Sequence, residues 1–461
     1  MATDKCELVR PRLNVLSSGQ LNKIHESSLK ILRETGLNVH SEELRILLAN
    51  NGCKVKDNLR TYIPAELVEK ALSSAPSCVD IFDRNNNKAM SLEGTSSYFG
   101  TGSDLEYTID LKTQKRQQST LKDVELSTRL CEKLKNIDFV MSYGLPNGVS
   151  PLDIEIEQFR TMLANTTKPI VMTIYSGLEN FKKVHKMACE SCGGEKTFRN
   201  APNYAIYGQF VSPLQHDTDA LDRLIFCADN HIPIIYVPTI MMGASGPVTL
   251  AGALALANAE CLAGLVMHQL RSPGAPFIYG GCVSPLDMKT TVFSYGAPEW
   301  RIADAVLSEL SIKYKLPIFG TAGASDSLKL DIQAGAEWAY SLLTCALSGT
   351  NLIHDVGYLE SGMTGSLESL VIVDEIIGMV KRVIAGFKIN EESLSLDMVK
   401  KIGPAGDFMA EEHTLKHYRK DIWYPNIFMR DRFDNWQASG AKDIAQYARE
   451  QVQELLEKQA I

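Results

Sequence analysis

"LPIFGTAGASDSLKLDIQAGAEWAYSLLTCALSGTNLIHDVGYLESG", Leu316 to Gly362, holds the pattern on which the fold turns. A short apolar run ends in glycine, serine and aspartate. A helical stretch follows, and a second apolar run, Asn351 to Ile353, again ends in polar residues and glycine. Strand, helix and strand in that order imply parallel pairing through a right-handed crossover. The last piece raises a chemical question, because His354, Asp355 and Glu360 follow directly on a core strand.

The same unit recurs upstream. Runs of this form are SYFGTGSD (97–104), DFVMSYGLP (138–146), PIVMTIYSG (169–177), NYAIYGQFVSP (203–213), IPIIYVPTIMMG (232–243), PFIYGGCVSP (276–285), LPIFGTAGASDS (316–327) and NLIHDVGYLESG (351–362). Most lie about 30–40 residues apart, the length of a strand–helix unit. Eight such units predict an α/β fold of the (β/α)8 TIM-barrel kind. A doubly wound open sheet is the rival. It would want a phosphate-binding turn after the first strand, and FGTGSD lacks the full G-x-G-x-x-G pattern.

Around the barrel the chain divides into three expected parts. Residues 1–95 read as an N-terminal helical segment with a hairpin, with helices at about 17–75 and a strand–turn–strand in CVDIFDRNNNKAMSL. Residues 96–388 form the barrel, with a hairpin-like excursion, LEYTIDLKTQKRQ, before its first helix. Residues 389–461 read as a charged helical extension packed on the barrel.

Composition narrows the function. The chain has 461 residues, 45% hydrophobic and 22% charged, with a formal net charge of −8. Without a basic stripe it does not read as a nucleic-acid binder. MATDKCELVR has no apolar signal core, so a cytoplasmic location is expected. The longest apolar run, Val248 to His268, contains Asn258 and Glu260 and reads as a buried helix, not a membrane span. Ten scattered cysteines suggest reduced thiols. Homo-oligomerisation is left open.

A barrel of this kind carries its active site at the C-terminal strand ends. None of those ends offers the lysine that a Schiff-base enzyme needs, nor an H-x-H pair, and no metal is expected there. His185, Cys189 and Cys192 have metal-like spacing but belong to an outer helix. Aromatic residues populate the strands instead: Tyr98, Phe99, Tyr143, Tyr175, Tyr207, Phe210, Tyr236, Tyr279, Phe319 and Tyr358. Each could pack outward against the helices or line the mouth. Rings lining the mouth would suit a cationic ligand through cation–π attraction.

The stretch Gly320–Gly362 resembles the trimethylamine methyltransferase superfamily of amine:corrinoid methyltransferases. So do the opening LSSGQLNKIHESSLKILRETGLNVHSEE and the closing HTLKHYRKDIWYPNIFMRDRFDNWQASGAKD. The resemblance implies a TIM barrel and methyl transfer to the Co(I) corrinoid (cobalamin) of a cognate partner protein. In the archaeal trimethylamine branch a pyrrolysine sits near the position of Leu330–Gln333, where this chain has ordinary residues. The members without it resemble quaternary amine demethylases. Glycine betaine is then the leading substrate, with proline betaine, carnitine and γ-butyrobetaine as alternatives.

Strand parity sends His354 and Asp355 to opposite faces. His354 is expected to face the substrate or the corrinoid, and Asp355 to support it from behind or cap the next helix. Asp326 and Glu360 join His354 as expected catalytic groups, with Glu360 either balancing the ammonium or solvated at the rim. The expected substrate-binding set is Phe99, Tyr143, Tyr207, Gln209, Tyr236, Tyr279, Arg301, Phe319 and Tyr358. Arg301 could pair a substrate carboxylate or form an ion pair with Glu299 or Asp304. A different barrel enzyme, or a non-catalytic module binding a quaternary amine or a corrinoid protein, would be the alternative.

Overall fold

The computed structural model describes residues 7–457. The first six residues of MATDKCELVR and the last four of the chain lie outside it, as do the ends of the two flanking segments read from the sequence. Eight parallel strands close into a barrel. They are β1 (Tyr98–Phe99), β2 (139–140), β3 (Ile170–Thr173), β4 (Tyr204–Phe210), β5 (Ile234–Met242), β6 (Phe277–Gly280), β7 (Ile318–Thr321) and β8 (Leu352–His354). Continuous ladders run from β3 to β8 and on to β1. Single bridges, Gly100 to Phe139 and Val140 to Ile170, complete the ring through β2. Each expected strand is present, though β1 and β2 are shorter than their apolar runs. At that seam a side chain replaces part of the ladder: Phe99 N donates to Asp138 Oδ2 at 2.9 Å, and Lys381 Nζ pairs with the same oxygen at 2.9 Å.

A helix follows each strand: α1 (Leu121–Lys133), α2 (Ile154–Asn165), α3 (Leu178–Cys192), α4 (Thr218–Asn230), α5 (Leu250–Arg271), α6 (Pro298–Tyr314), α7 (Ile332–Ser348) and α8 (Leu367–Ala385). Their ends are written in the sequence. Asp331 accepts from Ala334 N at the start of α7, and Gly349, with φ of 87°, stops it. Helix α5 is long and apolar enough to cross a membrane, yet its most apolar window is 83% buried inside the fold. The nine described cysteines are all free.

Two cores result. The outer one lies between sheet and helices and takes one parity of each strand, including Ile206, Tyr236, Tyr279, Ile318 and Ile353. The inner one fills the barrel with the other parity: Val171, Ala205, Tyr207, Ile235, Ile278, Phe319 and Leu352. Val79, Ile81, Met90 and Leu92, from the hairpin Val79–Phe82/Lys88–Leu92, belong to this inner core. The hairpin bonds to residues just ahead of β3 and β4, Phe82 N to Pro202 O and Arg84 N to Thr167 O. It therefore plugs the N-terminal end of the barrel.

The flanking segments interlock with the barrel. Helices Ser18–Lys30, Glu42–Asn50 and Ala65–Ser74 pack on α5, and Ile444–Glu457 packs on α8 and α1. Glu7–Val9 pairs with Phe387–Ile389, so the boundary expected between 388 and 389 falls inside a strand.

Candidate active site

His354 ends β8 with its ring inside the barrel. Phe319, one strand away on the same face, stacks on it at 4.1 Å and 25°. Its Nε2 lies 2.8 Å from Thr321 Oγ1 at the end of β7. Cys282 Sγ sits 3.6 Å from the same hydroxyl, and burial pushes that thiol up to about 12.

Asp355 overturns the expectation drawn from strand parity. Its φ is +69°, a left-handed turn that leaves strand geometry. The carboxylate swings back beside His354, with Oδ1 2.7 Å from Nδ1. The contact is not aligned as a hydrogen bond, since Nδ1 has no acceptor in line. Both side chains are buried, at 6% and 7% exposure. No described donor hydrogen-bonds the Asp355 carboxylate. The chain makes room for it at Gly102, where a Cβ would lie 1.9 Å from Asp355 Oδ1 and 2.2 Å from Tyr358 Oη.

Tyrosines surround this carboxylate. Burial, reinforced by the nearby Asp355 charge, holds the hydroxyls of Tyr358 and Tyr295 well above the ordinary tyrosine range. Tyr207 is raised as well, again by burial first, with Asp355 contributing. All three stay neutral. Tyr175, in the β3–α3 connection, is 58% exposed. Tyr295 packs on Trp300 at 4.9 Å, and Trp300 on Phe293 at 5.1 Å. A second carboxyl, Asp104, lies close enough to act on Tyr175 and Tyr358. Its Oδ1 accepts from Ser142 Oγ and Gln158 Nε2, its Oδ2 is buried without a partner, and burial raises its pKa.

The other expected site residues fall into two groups. Tyr207, Phe319 and Gln209 have inward parity, with Gln209 Nε2 donating to Thr239 Oγ1 at 2.5 Å. Tyr358 is beside Asp355 and donates to Ser103 O at 2.7 Å. The rest are placed elsewhere. Phe99, Tyr236 and Tyr279 belong to the outer core. Tyr236 Oη bonds His216 Nδ1 at 2.7 Å, and Tyr279 Oη donates to Asn258 Oδ1 at 2.8 Å. Tyr143 is buried under the β8–α8 loop and donates to Gly357 O. His185, on α3, contacts Tyr204 Oη at 3.0 Å.

Three charged residues have structural partners. Asp326 accepts from Ser294 Oγ, Tyr295 N, Gly296 N and Ser361 Oγ, so it clamps the β6–α6 and β8–α8 loops together. Glu360 makes a two-pronged pair with Arg116, at 2.7 and 2.8 Å, and Arg116 lies 3.3 Å over the Tyr107 ring. Arg301 is 4% exposed. It donates to Thr321 O at 2.7 Å and pairs with Asp304 at 3.2 Å, the ion-pair alternative left open above. Thr321, Cys282, Tyr295 and the central place of Asp355 were not anticipated. Inward parity from Phe319 points to Thr321, but nothing in the loop around Tyr295 marks it.

The family model described as trimethylamine methyltransferase (MTTB) matches residues 3–460. A trimethylamine methyltransferase of Desulfitobacterium hafniense (strain DSM 10664 / DCB-2) is 33% identical over 96% of this chain and 89% of that protein. A glycine betaine methyltransferase of Desulfitobacterium hafniense (strain Y51) is 30% identical over 92% of this chain and 89% of that protein. The crystal structure of Methanosarcina barkeri monomethylamine methyltransferase superposes with a TM-score of 0.55 at 11% identity, over 96% of this chain and 89% of that one, and shares the fold. The chain thus belongs to the trimethylamine methyltransferase family, and it is a methyltransferase.

Proposed function

We propose that the protein moves a methyl group from a quaternary amine to the Co(I) corrinoid of a separate partner protein and releases a tertiary amine. The observation that carries this reading is the Asp355 carboxylate, buried without a hydrogen-bond donor among neutral tyrosines. A buried carboxylate wants a cation. A quaternary ammonium has no N–H to donate, so charge and ring faces are the contacts it can make.

The chemistry fits what the residues can do. As the C–N bond breaks, its electron pair stays on nitrogen and the methyl group passes to the acceptor. The amine leaves neutral, so no residue has to protonate it. The corrinoid supplies the attacking electron pair, while His354, Phe319 and the tyrosines hold the donor in line and exclude water. His354 is thus a positioning group, not a general base. The rim suits an acceptor borne on another protein. Six consecutive strand–helix connections, from β2–α2 to β7–α7, each expose an apolar side chain there: Leu152, Tyr175, Val211, Val248, Met288 and Leu328. A Co(I) partner requires a reducing compartment, which supports a cytoplasmic location.

Glycine betaine is the donor favoured from the sequence, and the relative named for it supports a quaternary substrate. The test is to mix the protein with Co(I) cobalamin and a panel of tetramethylammonium, choline, glycine betaine, proline betaine, carnitine and γ-butyrobetaine. Methylcobalamin formation is read by absorbance. Formation with at least one donor is expected, and none with any of them would end this reading.

A further inference from the structure

Accepting methyl transfer from a quaternary amine as above, we propose that Asp326 is a positioning residue for that reaction: it acts through Tyr295, by fixing the backbone that carries this ring over the amine site.

The β6–α6 connection runs from Leu286 to Ala297 before α6 begins. Its outer half is a small hairpin. Leu286 bridges Phe293, and Asp287 Oδ1 accepts from Lys289 N and Thr290 N at 2.8 Å. Its inner half turns down, so that Phe293 and Tyr295 pack against the residues that fill the barrel. The Tyr295 ring lies 4.9 Å from Trp300 and 6.0 Å from Phe293. It closes on Gly362, where a Cβ would stand 3.1 Å from the ring. Burial apart, Asp355 is the charge that acts most on its hydroxyl.

What holds the ring there is Asp326, in the β7–α7 connection. Tyr295 N and Gly296 N are consecutive and both point at its carboxylate, donating to Oδ1 at 2.7 Å and to Oδ2 at 3.0 Å. Ser294 Oγ donates to Oδ2 as well. Three successive residues thus hang on one carboxylate through charge-assisted bonds, which are about twice as strong as neutral ones. Ser361 Oγ donates to Oδ1 at 2.7 Å from the other side. The loop that carries Asp355 and Tyr358 is therefore tied to the same point.

Asp326 is itself held. Glu337, on α7, accepts from Asp326 N at 2.8 Å and from Ser325 Oγ. Gly296 lets this second carboxylate come close, since a Cβ there would lie 2.5 Å from Glu337 Oε1. Through the two carboxylates the Tyr295 ring is referred to a helix of the barrel frame. An ionised carboxylate has about four acceptor sites, and on Asp326 four donors fill them. None is left for the amine, so Asp326 touches no reacting atom and its influence passes through the groups it holds. A misplacement of about 1 Å in such a group costs about a hundredfold in rate.

The experiment is a cycle of wild type, Asp326→Asn, Tyr295→Ala and the double variant. The asparagine keeps the shape but sets an amide N–H2 against Gly296 N–H. Measured are kcat/KM for the preferred amine with Co(I) cobalamin, calorimetric affinity for tetramethylammonium, and melting temperature. Asp326→Asn is expected to lower kcat/KM about tenfold or more, and Tyr295→Ala at least as much. The double variant should match Tyr295→Ala within about twofold, because once the ring is gone its anchor has nothing left to position. The melting temperatures should fall further in the double variant, since the bonds from Gly296 and Ser361 are lost in either background. Effects on kcat/KM that multiply would show a purely structural role and overturn the inference while methyl transfer stands. So would wild-type kcat/KM in Asp326→Asn. If wild type methylates Co(I) cobalamin from no amine, the proposed function falls, and the same cycle read in tetramethylammonium affinity decides the role of Asp326 by the same criteria. Absence of that binding too would overturn the inference as well.

Discussion

Asp355 Oδ1 stands where a side chain on Gly102 would have to go, 1.9 Å from the position of its Cβ. The glycine at the end of β1 is therefore part of the site, although it offers no functional group. Gly102→Ala should push the Asp355 carboxylate and the Tyr358 ring away from their places. Overpacking of this kind costs about 1–3 kcal/mol. The expected outcome is a modest fall in melting temperature and a larger rise in KM for the amine. A variant with wild-type KM would show that the carboxylate is not needed where it stands.

Thr321 is expected to matter through His354. Thr321→Val keeps the shape but leaves Nε2 of a buried imidazole without its partner at 2.8 Å. Leaving such a group unsatisfied costs about 1–3 kcal/mol. Thr321→Ser retains the hydroxyl and should retain stability and kcat. Urea melts of the two variants, with turnover measured beside them, separate the hydrogen bond from the methyl group.

Arg301 should prove structural. Arg301→Met strands Asp304, whose carboxyl burial already pushes up to about 7. Breaking a buried pair from one side costs roughly 3–5 kcal/mol. The double variant Arg301→Met/Asp304→Leu is expected to recover most of that stability and to keep the wild-type order of preference among amine donors. A changed preference would mean that the guanidinium reaches the substrate.

Glu260, on α5, accepts from Ser212 Oγ and Leu214 N and so ties down the β4–α4 loop. Burial raises its carboxyl from 4.5 to about 7. Between those values the folded state holds more protons than the unfolded one, so stability falls as pH rises. The contribution is fully present below pH 4.5 and lost above pH 7, about 3 kcal/mol across the window. Glu260→Gln should flatten the dependence of melting temperature on pH between 5 and 7. An unchanged slope would assign it to other groups.

The barrel was legible because its rhythm is coarse: eight apolar runs became eight strands. Which residues face inward was legible only in part. Both faces of a parallel barrel strand are buried, so hydrophobicity does not alternate and cannot tell Tyr207 from Tyr236. Tyr236 and Tyr279 reach polar groups, His216 and Asn258, in the neighbouring loop and helix, a contact that no strand pattern announces. Parity did carry from Phe319 to Thr321 and from Leu352 to His354. It failed one residue later, because the left-handed backbone at Asp355 ends the alternation on which parity rests. Asp326 and Glu360 read as reactive from their position at strand ends. Their partners are Tyr295 and Ser361, from connections with no periodic signal, and Arg116, from the hairpin ahead of α1.

The hairpin at Val79–Phe82/Lys88–Leu92 has a kinetic consequence. With its apolar side chains packed into the bottom of the barrel, the hairpin leaves the C-terminal strand ends as the open side of the site. On the proposed reaction, the methyl acceptor stands at that open side while the spent amine is still behind it. Departure is then ordered, with the methylated partner leaving first and the amine second. The released amine should accordingly compete with the amine donor and not with the acceptor. Product-inhibition patterns read with both substrates varied would reveal a back door if the amine could leave first.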